Sequence, residues 1–254
     1  MIFVKGIILA GGEGSRLKSL TKVTNKHLLP IYDEPMIYKP IKTLTQSGIT
    51  EITIVLGGEN VGDFIRLLGD GSDFGATFNY VYQKQAGGIA EALYLTRDIV
   101  GQEKMAVILG DNVFEQSFIS EIKEFSTSDI YECHLFLKQM NNPEQYGVAD
   151  LDENGLIKEI QEKPKNPKSN YAVTGLFFYD AHVYDIIERV MNEIGYSDRG
   201  ELEITDVNNY YIDRRRVKTH IVEGFWCDSG SIPTLLKAAN FIQSKQSKQS
   251  KELE

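Results

Sequence analysis

From Phe3 to about Phe125 the chain alternates short, apolar, β-rich runs with helical patterns, and this alternation restricts the fold more than any other feature. The runs are "VKGIILA", "EITIVLG", "TFNYVYQ" and "KMAVILGD"; helical patterns over 35–46, 61–68, 88–99 and 118–125 separate or follow them. Strands joined by helices pair in parallel and need cover on both faces, so the sequence predicts an α/β fold with a mostly parallel central sheet between helical layers. Beyond residue 125 the character changes. "YECHLFLKQM", the turn "DENG", "LIKEIQEK" and "YAVTGLFFYD" read as strands with few helices between them, which predicts a small mixed-sheet insertion. Helical patterns return over 181–194 and 203–213, strands near Val217 and Gly224, and a last helix from Ile232. The tail "QSKQSKQSKELE", 243–254, has nothing to bury and reads as frayed or disordered.

Composition removes several classes of function. The apolar runs fall far short of the roughly 18 to 20 residues of a membrane span, and the N-terminal apolar segment is too short for a signal peptide, which predicts a cytoplasmic protein with no membrane partner. Two cysteines and four scattered histidines give neither a disulfide framework nor zinc spacing. With 27 Lys+Arg against 36 Asp+Glu and a net charge of -9, no broad basic face for nucleic acid is expected. Any anion must be held locally.

A local anion site is offered directly after the first strand. Gly11, Gly12 and Gly14 permit a turn whose successive amides point at one centre, although an ordinary tight turn uses the same residues. The loop lacks the Gly-Lys-Ser/Thr ending of a P-loop, and Leu17 stands where a dinucleotide fingerprint needs its third glycine. Arg16 adds a planar fork of donors, and Lys26 follows ten residues later; both also suit solvated surface positions. Asp111 ends the run "VILGD" at the carboxyl edge of the sheet, where open α/β folds bind ligands, and Asp228 follows a strand in "FWCDSG". Each alone is a credible cap or turn residue, whereas together they suit Mg2+, which takes one or two carboxylates plus water and phosphate oxygens.

The ordered motifs "LAGGEGSRL", "NKHLLPIYDEPMIY", "ILGDN", "EKP", "VTGLFFYD", "RGELEITDVN" and "WCDSG" resemble the sugar-1-phosphate nucleotidylyltransferases, and within them the shorter form of the glucose-1-phosphate thymidylyltransferases, from Lys5 to about Ile242. The resemblance implies a Rossmann-like, GT-A-like nucleotidyltransferase domain over 1–242. Its nucleotide-binding half would be about 1–125 and its sugar-phosphate-binding half about 126–242. It implies dTTP and glucose 1-phosphate as substrates, dTDP-glucose and pyrophosphate as products, Mg2+ as cofactor, and a homo-oligomer, dimer or tetramer. Leu9, Gly11, Gly12, Gly14, Ser15, Arg16, Gln83, Gly88 and Asp111 would bind the nucleotide, with the Gln83 amide matching a pyrimidine edge and Gly88 letting the backbone approach the ring. Asn112, Tyr146, Gly147, Glu162, Lys163, Val173, Gly175 and Arg199 would hold the sugar phosphate; Asp111 and Asp228 would hold the metal; Arg16, Lys26 and Lys163 would be the catalytic cations. Glu201, Glu203 and Asp206 read as structural or remote from the metal.

The chain departs from the family pattern at Ser15, Ser19, Asn25 and Glu91, where threonine, proline, serine and glutamine are usual, and none of these removes a needed charge. The longer form's extra C-terminal portion, associated with regulation by end-product nucleotide sugar, has no counterpart in the polar repeat. Three rivals remain: a UTP-dependent uridylyltransferase, a non-catalytic nucleotide-sugar-binding subunit, and a glycosyltransferase. Asp111-Asn112-Val113 in place of Asp-x-Asp counts against the last.

Overall fold

The computed structural model describes residues 4–128 and 130–252. Phe3, where the sequence places the start of the alternation, lies outside them, as do the last two residues of the polar tail. Four strands, β1 (Val4–Ala10), β2 (Glu51–Gly57), β3 (Thr77–Gln83) and β4 (Lys104–Leu109), carry the first half. β1 pairs in parallel with β2 and β4, and β2 with β3, as the alternation requires. Successive side chains point to opposite faces, and both faces are apolar: Ile7, Leu9 and Val107 pack on one side, Ile8, Ile54 and Ile108 on the other. Helices Tyr38–Gln46, Val61–Leu68 and Ile119–Thr127 cover the second face with Ile41, Phe64 and Phe125. Helices Ile89–Tyr94, Val183–Glu193 and Ile204–Asp213 cover the first with Leu93, Ile187 and Tyr211.

The second half continues the same sheet through β5 (Cys133–Gln139), β6 (Gly147–Leu151), β7 (Ile157–Glu162), β8 (Tyr171–Tyr179) and β9 (Val217–Ile221). The order is β7-β6-β8-β4-β1-β2-β3, with β5 joining β8 to β9. β8 is the hinge of this arrangement. It runs antiparallel to β4 at Leu176–Tyr179, meets β6 at Ala172, and loses register with β5 between Val173 and Phe177. Such an irregularity bends a strand, so β8 begins in the small ribbon with β6 and β7 and ends in the main sheet. The sequence "VTG" sits where the sheet divides.

Three expectations change. The helix read from residue 35 begins at Tyr38, because Glu34–Pro35 instead pairs with Pro30–Ile31. The pattern over 88–99 is two short helices, Ile89–Tyr94 and Arg97–Val100; between them the buried Thr96 hydroxyl donates to the Leu93 carbonyl at 2.7 Å and competes with the helical ladder. The tail read as frayed or disordered is helical as far as the described residues go: the last helix spans Ile232–Glu252. Ala238 and Ile242 seat it against Ile31, Met36 and Val113, Gln246 Nε2 donates to Asp33 at 2.7 Å, and its Gln and Lys residues are good helix formers. No helix among the described residues is long and apolar enough to cross a membrane.

Candidate active site

The strand ends of β1, β3 and β4 open onto a cleft of about 680 Å³ whose far wall comes from the β6-β7-β8 side. After β1 the chain turns through Gly14, left-handed at φ 71°, into 3-10 turns over Ser15–Thr21. Leu17 explains why this loop is not a dinucleotide motif. Its side chain is fully buried and pins the loop down, while its neighbour Arg16 reaches across to Asp228, with Nη2 3.2 Å from Oδ2. Lys26, largely buried, places Nζ 2.6 Å from Asp111 Oδ2.

The two aspartates meet through a feature that the sequence reading did not anticipate. Asn112–Phe114 and Trp226–Asp228 form a short antiparallel ribbon that sets Asn112 opposite Asp228, and the Ser229 N–H donates to the Asp111 carbonyl at 2.8 Å. Gly230 shows how tightly the side chains converge: a Cβ there would lie 2.6 Å from Arg16 Nη2, 2.8 Å from Asp228 Oδ1 and 3.0 Å from Asp111 Oδ2. Burial opposes the charge on Asp111, but Lys26, through its charge and its hydrogen bond, together with His27 and the Asn112 amide, outweighs it and holds the carboxyl well below the usual carboxylate range. Burial and then the Asp111 charge push Asp228 upward, against the pull of Arg16 and Lys26. Two hard oxygen donors, desolvated and mutually repelling in one small space, fit a divalent cation.

Gln83 closes the other end of the cleft, with Nε2 3.4 Å from the Gly88 carbonyl oxygen. The sequence reading gave Gly88 the task of admitting a ring. The structure gives the glycine a different immediate cause: at φ 101° its missing Cβ would lie 2.5 Å from the Leu202 carbonyl oxygen, and the Leu202 N–H donates to Gly87 at 2.7 Å. This turn is thereby clasped to the segment carrying Arg199 and Glu203.

On the opposite wall, Glu162 ends β7 beside Gly147 and accepts from Thr205 Oγ1 at 2.7 Å. Lys163 follows at φ 45°, a left-handed conformation that costs energy for a lysine before proline, and its ammonium lies 3.2 Å from Glu162. Asn112 bridges the walls, with Oδ1 accepting from Trp226 Nε1 at 2.7 Å and from the Gly175 N–H at 3.2 Å. The Tyr146 ring packs on Trp226 at 5.3 Å, and burial raises its phenol pKa.

Of the residues assigned to the site from sequence, all line this cleft except Gly14 and Arg199. Gly14 shapes the loop from behind. The Arg199 guanidinium is held by Glu203 at 2.7 Å, Glu201 at 3.4 Å and Glu162 at 3.5 Å, so it contacts the carboxylate of a lining residue. Sequence reasoning missed Trp226, Thr205, Asn208 and His27, which also line the cleft. All four lie inside the quoted motifs, so position in those motifs is the available signal. Glu201, read as structural, lines the cleft as well.

A mainly parallel first half, a cation-bearing glycine loop and an acidic pair facing a second wall define a nucleotidyltransferase. The chain belongs to the nucleotidyl transferase family, whose profile matches residues 5–245. It is 41% identical over 246 residues to a glucose-1-phosphate thymidylyltransferase of Neisseria meningitidis, covering 96% of this chain and 84% of that one. A crystal structure of a Bacillus anthracis protein, provisionally described as a glucose-1-phosphate thymidylyltransferase and bound to sucrose, superposes with a TM-score of 0.87 at 46% identity over 94% of both chains. A UDP-glucose pyrophosphorylase complexed with UDP-glucose superposes with a TM-score of 0.81 at 25% identity, covering 96% of this chain and 100% of that one.

Proposed function

We propose that this protein transfers a thymidylyl group from dTTP to glucose 1-phosphate, giving dTDP-glucose and pyrophosphate. The observation that supports this best is the convergence of Arg16, Lys26, Asp111 and Asp228 in a cleft that also reaches Glu162 and Lys163. A phosphate monoester has its second pKa near 6 and is mostly dianionic at neutral pH, so the attacking oxygen needs no general base. That oxygen forms a bond to the α-phosphorus as the bond to pyrophosphate breaks in line. The barrier is repulsion between two polyanions, together with charge developing at the α-phosphorus.

Each group has a task in that reaction. Arg16 and Lys26 draw in the triphosphate, Lys163 draws in the sugar phosphate, and Glu162, fixed by Thr205 and Arg199, accepts sugar hydroxyls. Gln83 reads the pyrimidine edge, so base and sugar pockets align the two reactants. Asp111 and Asp228 would hold Mg2+, which supplies charge neutralisation at the phosphates when bound. A cytoplasmic, homo-oligomeric enzyme belongs to the same proposal.

The deciding assay incubates the protein with glucose 1-phosphate, Mg2+ and dTTP or each ribonucleoside triphosphate in turn and measures pyrophosphate. Release with dTTP is expected. Preference for UTP would make the protein a uridylyltransferase, since Gln83 can pair with either pyrimidine. Release with no nucleotide would replace the proposal with a non-catalytic nucleotide-sugar binder.

A further inference from the structure

Lys26 owes its place to its neighbours. It opens a three-residue helical turn, Lys26–Leu28, capped by the Asn25 side chain. Asn25 Oδ1 accepts the His27 backbone N–H at 3.0 Å and lies 2.8 Å from His27 Nδ1. An oxygen that already receives a backbone N–H is an acceptor for the ring too, so Nδ1 carries the imidazole proton. The opposite edge of the ring rests on Gly110, where a Cβ would lie 2.6 Å from His27 Cδ2 and 2.8 Å from Nε2. Gly110 is itself fixed, its N–H donating to the Leu9 carbonyl at 2.9 Å, and it immediately precedes Asp111. One imidazole, 1% exposed, therefore touches both segments that carry the Lys26–Asp111 pair. Burial and the adjacent Lys26 charge lower the pKa of the ring to about 3, so it is neutral and adds no competing charge.

We propose that His27 is a positioning residue: tied to Asn25 through Nδ1–H and seated against Gly110, it fixes the Lys26 ammonium at Asp111 and so keeps that cation in place for the phosphates. The effect on turnover rests on the function proposed above, whereas the placement of Lys26 can be read without it. An ordinary core histidine would contribute to folding and leave Lys26 unaffected.

Two variants divide the contributions: His27→Phe keeps the ring and loses the Nδ1–H, and Asn25→Ala removes the shared acceptor. Two measurements are made on each, steady-state kinetics and the rate at which an amine-acylating reagent modifies Lys26, followed by peptide mass spectrometry with Lys18 and Lys163 as internal references. In both variants kcat is expected to fall about 10- to 100-fold, the scale of a catalytic group displaced by a fraction of its contact distance, with KM changing much less. Lys26 is expected to acylate several times faster while the reference lysines do not change, and the double variant should be no worse than the poorer single one. Wild-type kcat with wild-type Lys26 acylation would overturn the proposal; so would a lowered melting temperature with Lys26 reactivity unchanged. If wild-type protein released no pyrophosphate with any nucleotide, the functional reading would fail and Lys26 acylation would still decide this one. Should His27→Phe not fold, visible as faster acylation of every lysine, Gly110→Ala, whose added methyl displaces the ring, takes its place with the same two readouts and the same criteria.

Discussion

Asp111 and Asp228 occupy one buried space but are shifted in opposite directions, and this separates stability from activity at single residues. Lys26 stabilises the Asp111 charge, so Asp111→Asn leaves a largely buried ammonium without its partner and is expected to lower the melting temperature. Asp228 carries its charge against burial and against Asp111, so Asp228→Asn is expected to raise the melting temperature measured without divalent cation. Both variants should lose about 100-fold or more in turnover, as when a group aimed at developing charge is removed. Melting shifts of the same sign in the two variants would refute this account of the pair. Lys163 differs again, being half exposed and bonded to Glu162. Lys163→Ala is expected to raise KM for glucose 1-phosphate about 10- to 150-fold, the loss of one charge-assisted bond worth about 1.5–3 kcal/mol, with a smaller change in kcat. A pure kcat defect would place Lys163 at the α-phosphorus instead.

Elements differ in how visible they are in sequence, and the reason is local signal. β1, β2 and β4 are readable because parallel strands buried on both faces are near-continuous apolar runs, the edge strand β3 from its aromatic and β-branched residues, and the helix Val61–Leu68 from its periodicity. The 3-10 turns over Ser15–Thr21 have no 3.6-residue pattern, and Lys18 within them sits at φ 54°. The ribbon of Asn112–Phe114 with Trp226–Asp228 joins two three-residue strands 114 positions apart, too short for alternation and too distant for any turn signal. Hence each aspartate is identifiable as a residue that follows a strand, and the two as a candidate magnesium pair, while the ribbon that brings them together is not legible. The clasp between Gly87–Gly88 and Leu202 is equally non-local. Gly88→Ala tests that clasp, since its methyl would meet the Leu202 carbonyl at 2.5 Å in a backbone conformation strained by about 1–3 kcal/mol for a non-glycine residue. A lower melting temperature and a raised KM for both substrates are expected, because the clasp ties the Gln83 end of the cleft to the Arg199–Glu203 segment. A rise confined to the nucleotide would show that the two ends are independent.

At the scale of the whole molecule, the histidines make folding sensitive to mild acid. Burial and the Lys26 charge lower His27 to about 3, and burial with the nearby His220 lowers His134 to about 3. His220, whose Nε2 is 3.0 Å from His134 Nδ1, is lowered mainly by burial and then by Lys218. An unfolded imidazole takes up its proton near pH 6.5, and these do so only at lower pH once folded. The unfolded chain therefore binds more protons in that interval, and stability falls as pH drops from 6.5. His182 works in the opposite sense: its hydrogen bond to Asp180 raises its pKa, so its contribution is present below pH 6.5 and lost as pH rises through the folded value. At 72% side-chain exposure that offset is small. Most carboxylates titrate below pH 5, which leaves pH 5 to 8 as a window governed by imidazoles. Urea unfolding is expected to show a loss of about 2 kcal/mol at pH 5 relative to pH 8 from His27 alone, with His134 and His220 adding to it. His134→Phe, set among Phe125, Tyr131 and Phe178, should flatten part of that slope by removing one of the buried bases. Equal stability of the wild type at pH 8 and pH 5 would mean that these rings are charged or exposed in the folded protein.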